Sequence, residues 1–303
     1  MDGFVNLLKP PGISSHEAVQ RVRRLLGQKT IGHAGTLDPA ACGVLVLACG
    51  QATRLVEFTS SLVKAYRAQV VLGITTDTLD ATGQVTSHRP VSGLTAADVA
   101  AVLPAFVGEI WQKPPAFSAI HHRGQRLYEL ARRGEEVDIA PRRVQVHDLR
   151  LLWFRIPCFL LEVKCGGGTY IRSLCADIGQ TMGPGACVLT LVRTAVGPFL
   201  VGDSYTLAEL EAMTQAGDTS FLQPLEAGVE HLPAVTLAAG AGARWQHGQA
   251  VGAGDLAQMP PGLAPGYDCR VYTGDGRLAG IGVVAAGVPA EAWHLRPRKV
   301  LRY

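Results

Sequence analysis

The chain has 303 residues, of which 48% are hydrophobic, 17% charged and 6% aromatic. A disordered chain would be more polar, and the longest apolar runs, such as Val44 to Cys49, fall far short of the roughly 20 residues a membrane span needs. The formal charge of +3 comes from 28 Lys and Arg against 25 Asp and Glu, too mild a balance to demand a polyanionic partner.

The length suits two domains, or one large domain with an appendage. Of the cations, 22 are Arg and 6 Lys. That bias fits a GC-rich coding sequence, and it also fits phosphate and base recognition, for which the planar guanidinium is suited. Residues 4–8 predict a short strand, stopped by Pro10-Pro11-Gly12. Ser14 and Glu17 form a capping-box pattern, and Val19, Val22 and Leu26 give one apolar face to the helix that follows. Residues 30–43 are a loop rich in Gly and Pro, and Val44 to Ala48, between Gly43 and Gly50, predicts a buried strand. Residues 51–62 fit a helix. Tyr66, Ala68 and Val70 alternate with Arg67, Gln69 and Val71, which predicts a strand, and residues 95–106 fit another helix.

Residues 112–150 change character: with the next five residues included, nine cations face five acids. Residues 159–164 predict a strand. After Gly166-Gly167-Gly168 comes a helix with Ile171, Leu174, Ile178 and Met182 on its core face. Residues 214–242 are rich in Ala and Gly and read as a link. Residues 243–303 are Gly-rich with β-like runs at Cys269 to Thr273 and Ile281 to Val284, which predict a small β domain. The irregular interleaving of strands and helices predicts an α+β fold rather than a doubly wound sheet.

Seven cysteines, an odd number with no C-x-x-C pair, fit neither a disulfide framework nor a zinc site. The N-terminal MDGFVNLLKPPG has no basic-then-apolar signal pattern, so a reduced cytoplasm is the expected compartment. The phosphate-binding G-x-x-x-x-G-K-[ST], the dinucleotide G-x-G-x-x-G, H-E-x-x-H and G-x-S-x-G are all missing. His121–His122 has no acidic or Cys partner at ligand spacing, so no metal is expected. The run TDTLDATG at 76–83 lacks the third-position acid and closing Glu of a calcium loop, which leaves a turn between strands.

The most pointed stretch is Gly32-His33-Ala34-Gly35-Thr36-Leu37-Asp38-Pro39, where two glycines and a proline fix a loop around one carboxylate. No second carboxylate lies within it, so a glycosidase-type acid pair is not indicated.

At these residues the chain resembles the TruB family of tRNA pseudouridine-55 synthases. The matching stretches are KPPG at 9–12 with Ser14-Ser15; GHAGTLDP at 32–39 with Gly43-Val44-Leu45; KAYR at 64–67; TDTLDATG at 76–83; PPAFSA at 114–119 with Gly124, Leu127-Tyr128 and Ala131-Arg132; GTYIR at 168–172; and Leu191. The ending LRPRKVL at 295–301 is similar, more loosely, to the family's RNA-binding PUA-type domain. The resemblance implies a pseudouridine synthase fold, with a mixed, mainly antiparallel sheet flanked by helices. It divides the chain into a catalytic domain at 1–228 and a PUA-like RNA-binding domain at 229–303.

The implied reaction detaches a uracil from its ribose, turns it over and rejoins it through C5, in the T-loop of tRNA, with no cofactor, metal, guide RNA or membrane, by a cytoplasmic monomer. Asp38 matches the catalytic aspartate, acting as nucleophile or as the group handling charge at C1′; either role needs an ionised carboxylate. Arg172 matches its arginine partner, and a guanidinium beside a carboxylate favours the ionised form. Arg172 lies off the core stripe of its helix, so its fork can leave the helix and offer Asp38 a bidentate pair. Tyr66 matches the tyrosine that stacks on the flipped base, Leu191 an apolar wall of the uracil pocket, His33 the residue that fills the gap left by the base, and Lys9 a further substrate contact. A base must leave its stack for this chemistry, and an aromatic ring returns roughly 1–3 kcal/mol per base stacked on it.

Residues 112–140 match a thumb-like insertion that grips the T-loop, with Arg123, Arg126, Arg132 and Arg133, and Lys64 on its own strand, as expected RNA contacts. Three positions depart from the family pattern: Cys42 where Thr is common, His121 where Lys is usual, and Val192 where an Arg often precedes Arg193. Two other readings stand beside this one. A guide-RNA-dependent synthase would lack the intact thumb and carry long terminal extensions, and a non-catalytic RNA chaperone would not need the set Asp38, Tyr66 and Arg172.

Overall fold

The computed structural model describes residues 1–118, 121–122, 125–127, 130, 133–135, 137–286 and 293–302, the side chains at 121, 122 and 126 excepted. In chain order the first part comprises β1 (Gly3–Lys9), α1 (Ser15–Leu25), β2 (Ile31–His33), β3 (Cys42–Cys49), a 3-10 turn (Gly50–Leu55), α2 (Val56–Ser61), β4 (Lys64–Leu72), the hairpin β5 (Ile74–Thr76) and β6 (Val85–His88), and α3 (Ala96–Val102). It continues through β7 (Gly108–Gln112), β8 (His121–His122), β9 (Gln125–Arg126), β10 (Arg142–Arg155), β11 (Cys158–Cys165), α4 (Ile171–Thr181), β12 (Ala186–Val196), β13 (Phe199–Leu200), α5 (Leu207–Gln215) and β14 (Leu222–Gln223).

These strands build a ten-stranded sheet in the order β14-β1-β3-β12-β4-β11-β10-β7, with β13 on β12 and β2 on β3. Every pairing in it is antiparallel except β12 with β3, where Val192 lies opposite Cys42 and Arg193 opposite Gly43. The sheet is therefore mixed and mainly antiparallel, as expected. The alternation in β4 carries through: Tyr66, Ala68 and Val70 join the core beneath the helices while Arg67 is exposed. In β3, Leu45, Leu47 and Cys49 face that core, and Val44, Val46 and Ala48 face a second one on the other side. Burial on both faces is why this strand reads as an unbroken apolar run.

A second, six-stranded sheet follows: β15 (Ala234–Leu237), α6 (Ala241–Gln246), β16 (Val251–Gly252), β17 (Leu256–Gln258), β18 (Asp268–Tyr272), β19 (Leu278–Ala286) and β20 (Trp293–Val300), ordered β16-β20-β19-β18-β15-β17. Its own core centres on the fully buried Trp245, whose indole N–H donates to the Ala279 carbonyl at 3.1 Å. Leu278, Ile281 and Leu301 pack into the core of Phe4, Val44 and Phe58, so the two sheets share apolar surface. Glu57 adds ion pairs across that junction, to Arg298 at 2.9 Å and to Lys299 at 2.8 Å.

Some sequence expectations change. The stretch 214–242 is more than a link: Leu222 and Gln223 pair with Val5 and Phe4, adding an edge strand to the first sheet, and Leu225 and Val229 are buried. Its Ala and Gly content masks these few anchors. Ser14 caps α1 by accepting from the Glu17 N–H at 3.0 Å, but the Glu17 carboxylate pairs with Arg21 at 2.7 Å instead of closing the box. The helices expected at 51–62 and 95–106 each contain a 3-10 stretch, at Gly50–Leu55 and Leu103–Phe106. All seven cysteines are free. Among the described residues no helix is long and apolar enough to cross a membrane.

Candidate active site

Asp38 lies on the loop between β2 and β3, and that loop is pinned on both sides of it. The Ser15 hydroxyl, at the start of α1, accepts from the Leu37 N–H at 2.8 Å and donates to the Leu37 carbonyl at 2.9 Å. The Pro39 carbonyl accepts from the Gly12 N–H at 2.8 Å and from Lys9 Nζ at 3.2 Å. The residues before and after the carboxylate are thus fixed to the segment Lys9-Pro10-Pro11-Gly12, whose prolines restrict its own backbone.

Arg172 reaches the loop from the first turn of α4 and is only 4% exposed. A cation there faces the positive end of the helix dipole, and two carboxylates offset it. Arg172 Nε lies 2.9 Å from Asp38 Oδ2, and Nη1 lies 3.6 Å from Asp80 Oδ2. The Nε–H is not aligned for a hydrogen bond, so the Asp38 contact is an ion pair. The remaining donors go to backbone, Nη1 to the Thr78 carbonyl at 2.7 Å and Nη2 to the Phe117 carbonyl at 2.9 Å. The bidentate pair that the fork could offer Asp38 is therefore not formed, because both Nη groups are engaged elsewhere.

Asp80 is a residue that the sequence alone does not single out. TDTLDATG is indeed a turn between strands, β5 and β6, but it also delivers a second carboxylate. Asp80 Oδ1 accepts from the Thr78 hydroxyl at 2.8 Å and the Thr82 N–H at 3.0 Å, which aims Oδ2 at Arg172. The preceding Leu79 adopts φ 63°, a left-handed conformation unusual for a leucine. The loop docks on β12 through hydrogen bonds between Ala81 and Val188 at 2.8 Å and between Val188 and Leu79 at 3.1 Å. Only the Thr–Asp spacing in the sequence hints at this role.

Asp38, Arg172 and Leu191 line one open cleft, joined by Asp80 and Leu189. Leu189 sits where β12 slips register against β4, between Val188 and Thr190, and it is 43% exposed. Tyr66 lies opposite Arg193 on the neighbouring strand and is buried, which pushes its phenol above the ordinary range despite the opposing pull of Arg193. It therefore stays protonated at neutral pH. His33 is half-buried on β2; burial first, then Arg193 and His16, push its imidazole below the usual value, so it is neutral. Among the described residues its buried Nδ1 has no hydrogen-bond partner.

Two expected contacts have other work. Lys9 is fully buried and its three ammonium donors go to the carbonyls of Pro10 at 2.8 Å, Ile13 at 2.8 Å and Pro39 at 3.2 Å. Lys64, expected to meet RNA, is also buried, with Nζ donating to the Ser60 carbonyl at 2.7 Å and the Leu62 carbonyl at 2.9 Å. Both ammonium groups are consumed by the chain itself, and burial lowers each to about 8. Of the expected thumb contacts, Arg123, Arg132 and the Arg126 side chain lie outside the described residues, as does the His121 side chain. Arg133 is half-exposed and bonded to Glu135 and Gln125, each at 2.7 Å.

This chain is similar to known proteins along its whole length. A family described as TruB family pseudouridylate synthase (N terminal domain) matches residues 23–171. The tRNA pseudouridylate synthase B C-terminal domain matches 172–230, and the C-terminal part of pseudouridine synthase II TruB matches 233–301. The tRNA pseudouridine synthase B of Moorella thermoacetica is 43% identical over 304 residues, covering 99% of each chain. That of Gloeobacter violaceus is 47% identical over 255 residues, 83% of this chain and 87% of its own. Among solved structures, an H/ACA RNP bound to a substrate RNA containing 2′-deoxyuridine aligns with a TM-score of 0.78 at 27% identity, over 99% of this chain and 85% of that one. The class is that of the pseudouridine synthases. Within it, the chain belongs to the TruB family.

Proposed function

We propose that this chain isomerises uridine to pseudouridine at position 55, in the T-loop of tRNA, with Asp38 acting at C1′. The N1–C1′ bond breaks, the uracil turns, a C5–C1′ bond forms, N1 gains a proton and the C5 proton leaves to solvent. Arg172 holds the Asp38 carboxylate beside the cleft, Leu191 walls the uracil, Tyr66 supports the flipped base and His33, neutral, fills the space it vacates. Residues 112–140 grip the T-arm, with Arg123, Arg126, Arg132 and Arg133 at phosphates. Residues 1–228 form the catalytic domain, and 229–303 a PUA-like RNA-binding domain.

The observation that carries this reading is the ion pair of Arg172 with the part-exposed Asp38 beside an open cleft, 2.9 Å apart, in a chain 43% identical from end to end to a named tRNA pseudouridine synthase. A guide-RNA-dependent role has weaker support, since the H/ACA structure shares 27% identity. Incubating the protein with an unmodified tRNA transcript and no other RNA, then mapping pseudouridine by carbodiimide-dependent reverse-transcription stops, tests both readings. One new stop is expected, in the T-loop one nucleotide 3′ of position 55. Stops elsewhere, or a requirement for a second RNA, would overturn the proposal.

A further inference from the structure

We infer that Arg193 is a positioning residue for this reaction, tying the Asp38 loop to the strand that carries Leu191. The inference deepens the function proposed above and rests on it. Arg193 is 1% exposed, one of the largest fully buried side chains of the protein. Among the described residues its guanidinium has no carboxylate within ion-pair distance. A buried cation without a carboxylate is costly, so its other partners must hold it in place.

Those partners are the two ends of one loop. Nη2 donates to the Gly35 carbonyl at 3.1 Å and Nη1 to the Thr36 carbonyl at 3.2 Å, three and two residues before Asp38. Nε donates to the Val44 carbonyl at 2.7 Å, just after the loop has entered β3. One planar group, with donors fixed in a fork, thus closes the loop like a clasp. The backbone of Arg193 is part of the same device. It meets β3 at the sheet's one parallel pairing, and a Cβ on Gly43 would stand 2.2 Å from the Arg193 carbonyl oxygen, so only glycine permits the approach. Across β12, Arg193 faces Tyr66, and two residues earlier lies Leu191. The loop bearing Asp38 is thereby registered to the strand that carries Leu189 and Leu191 into the cleft and to the tyrosine opposite. At 1% exposure, Arg193 is too buried to reach RNA.

Placement of reacting groups is where such a clasp acts: an error of about 1 Å can cost on the order of 10²-fold in rate. Lysine at this position keeps the charge but offers one nitrogen for three carbonyls spread along the loop. The test uses the full chain as wild type, Asp38→Asn and Arg193→Lys. Its readouts are the single-turnover rate at saturating tRNA, tRNA affinity, and hydrogen exchange at residues 34–38. Pseudouridine formation by wild type and none by Asp38→Asn establish the underlying reading separately. Arg193→Lys should lose on the order of 10- to 100-fold in rate, keep tRNA affinity within about twofold, and exchange faster at 34–38 than in β4.

A rate near wild type would overturn the inference. So would rate and affinity falling together with faster exchange across the sheet, which would assign Arg193 to general core stability. Should Arg193→Lys not fold, Gly35→Ala disturbs the same loop while leaving the Arg193 side chain in place. Gly35 has φ +123°, and a Cβ there would lie 3.7 Å from Arg193 Nη1. The same separation of rate from affinity is expected for it, and no change in rate would overturn the inference.

Discussion

Arg172 meets Asp38 along one edge of its guanidinium: Nε stands 2.9 Å from Oδ2, while Nη1 and Nη2 donate to the carbonyls of Thr78 and Phe117. One side chain joins the aspartate loop, the Asp80 loop and the segment after β7. The position of the carboxylate therefore depends on three distant parts of the sequence, and a point charge cannot reproduce that geometry.

Arg172→Lys should accordingly lose on the order of 10²-fold or more in single-turnover rate. It should also lose about 1–3 kcal/mol of stability, because buried carbonyls are left without a donor. Single-turnover assays and urea melts check both, and a near-normal rate would show that any cation suffices.

Asp80→Asn keeps the acceptor for Thr78 and Thr82 and removes the charge that faces Arg172. The expected loss is about tenfold in rate, or ~1.4 kcal/mol of barrier, with tRNA affinity unchanged. Equal rates for wild type and mutant would make Asp80 a loop residue only.

Lys9 and Lys64 give the protein a distinctive alkaline behaviour. Burial lowers each to about 8, whereas an unfolded lysine titrates near about 10.4. Between these values the unfolded chain binds more protons, so stability rises with pH across the window; below it both states are protonated and the cost of the buried charge is fully present. Lys64→Met should flatten that rise by up to ~1.4 kcal/mol per pH unit. Urea melts near pH 8 and near pH 10 check this, and parallel curves for wild type and mutant would contradict it.

The proposed RNA contacts should behave differently from these buried lysines. Replacing Arg132 and Arg133 by Ala should weaken tRNA binding and reduce its logarithmic salt slope by roughly 0.7–0.9 for each phosphate that an arginine no longer neutralises. Lys64→Met should leave that slope unchanged. Binding titrations over a range of salt concentrations distinguish the two, and a slope that does not move in the double mutant would remove both Arg132 and Arg133 from the interface.

Much of this is legible in the sequence because local pattern and global fold agree. The alternation of β4 and the doubly buried run of β3 need only side-chain periodicity, and the loop around Asp38 announces itself by Gly35 and Pro39. Lys9, Lys64 and Arg193 are not legible, because a cation in a sequence reads as solvent- or RNA-facing, and only the fold reveals that backbone carbonyls surround it. Asp80 is hidden for a related reason: its partner lies 92 positions away, on α4. The strand β14 is lost in an Ala- and Gly-rich stretch where only two residues pair.

Tritium release shows whether Asp38 carries out the isomerisation. A tRNA labelled at uracil C5 gives up tritium to water only when the C5–C1′ bond replaces the C5–H bond. Wild-type protein should release the label stoichiometrically with the target uridine. Asp38→Asn, isosteric but without the charge, should bind the tRNA with similar affinity and release none. Measurable release by purified Asp38→Asn would show that Asp38 is not the group acting at C1′, and none by wild type would show that the chain does not form pseudouridine in this tRNA.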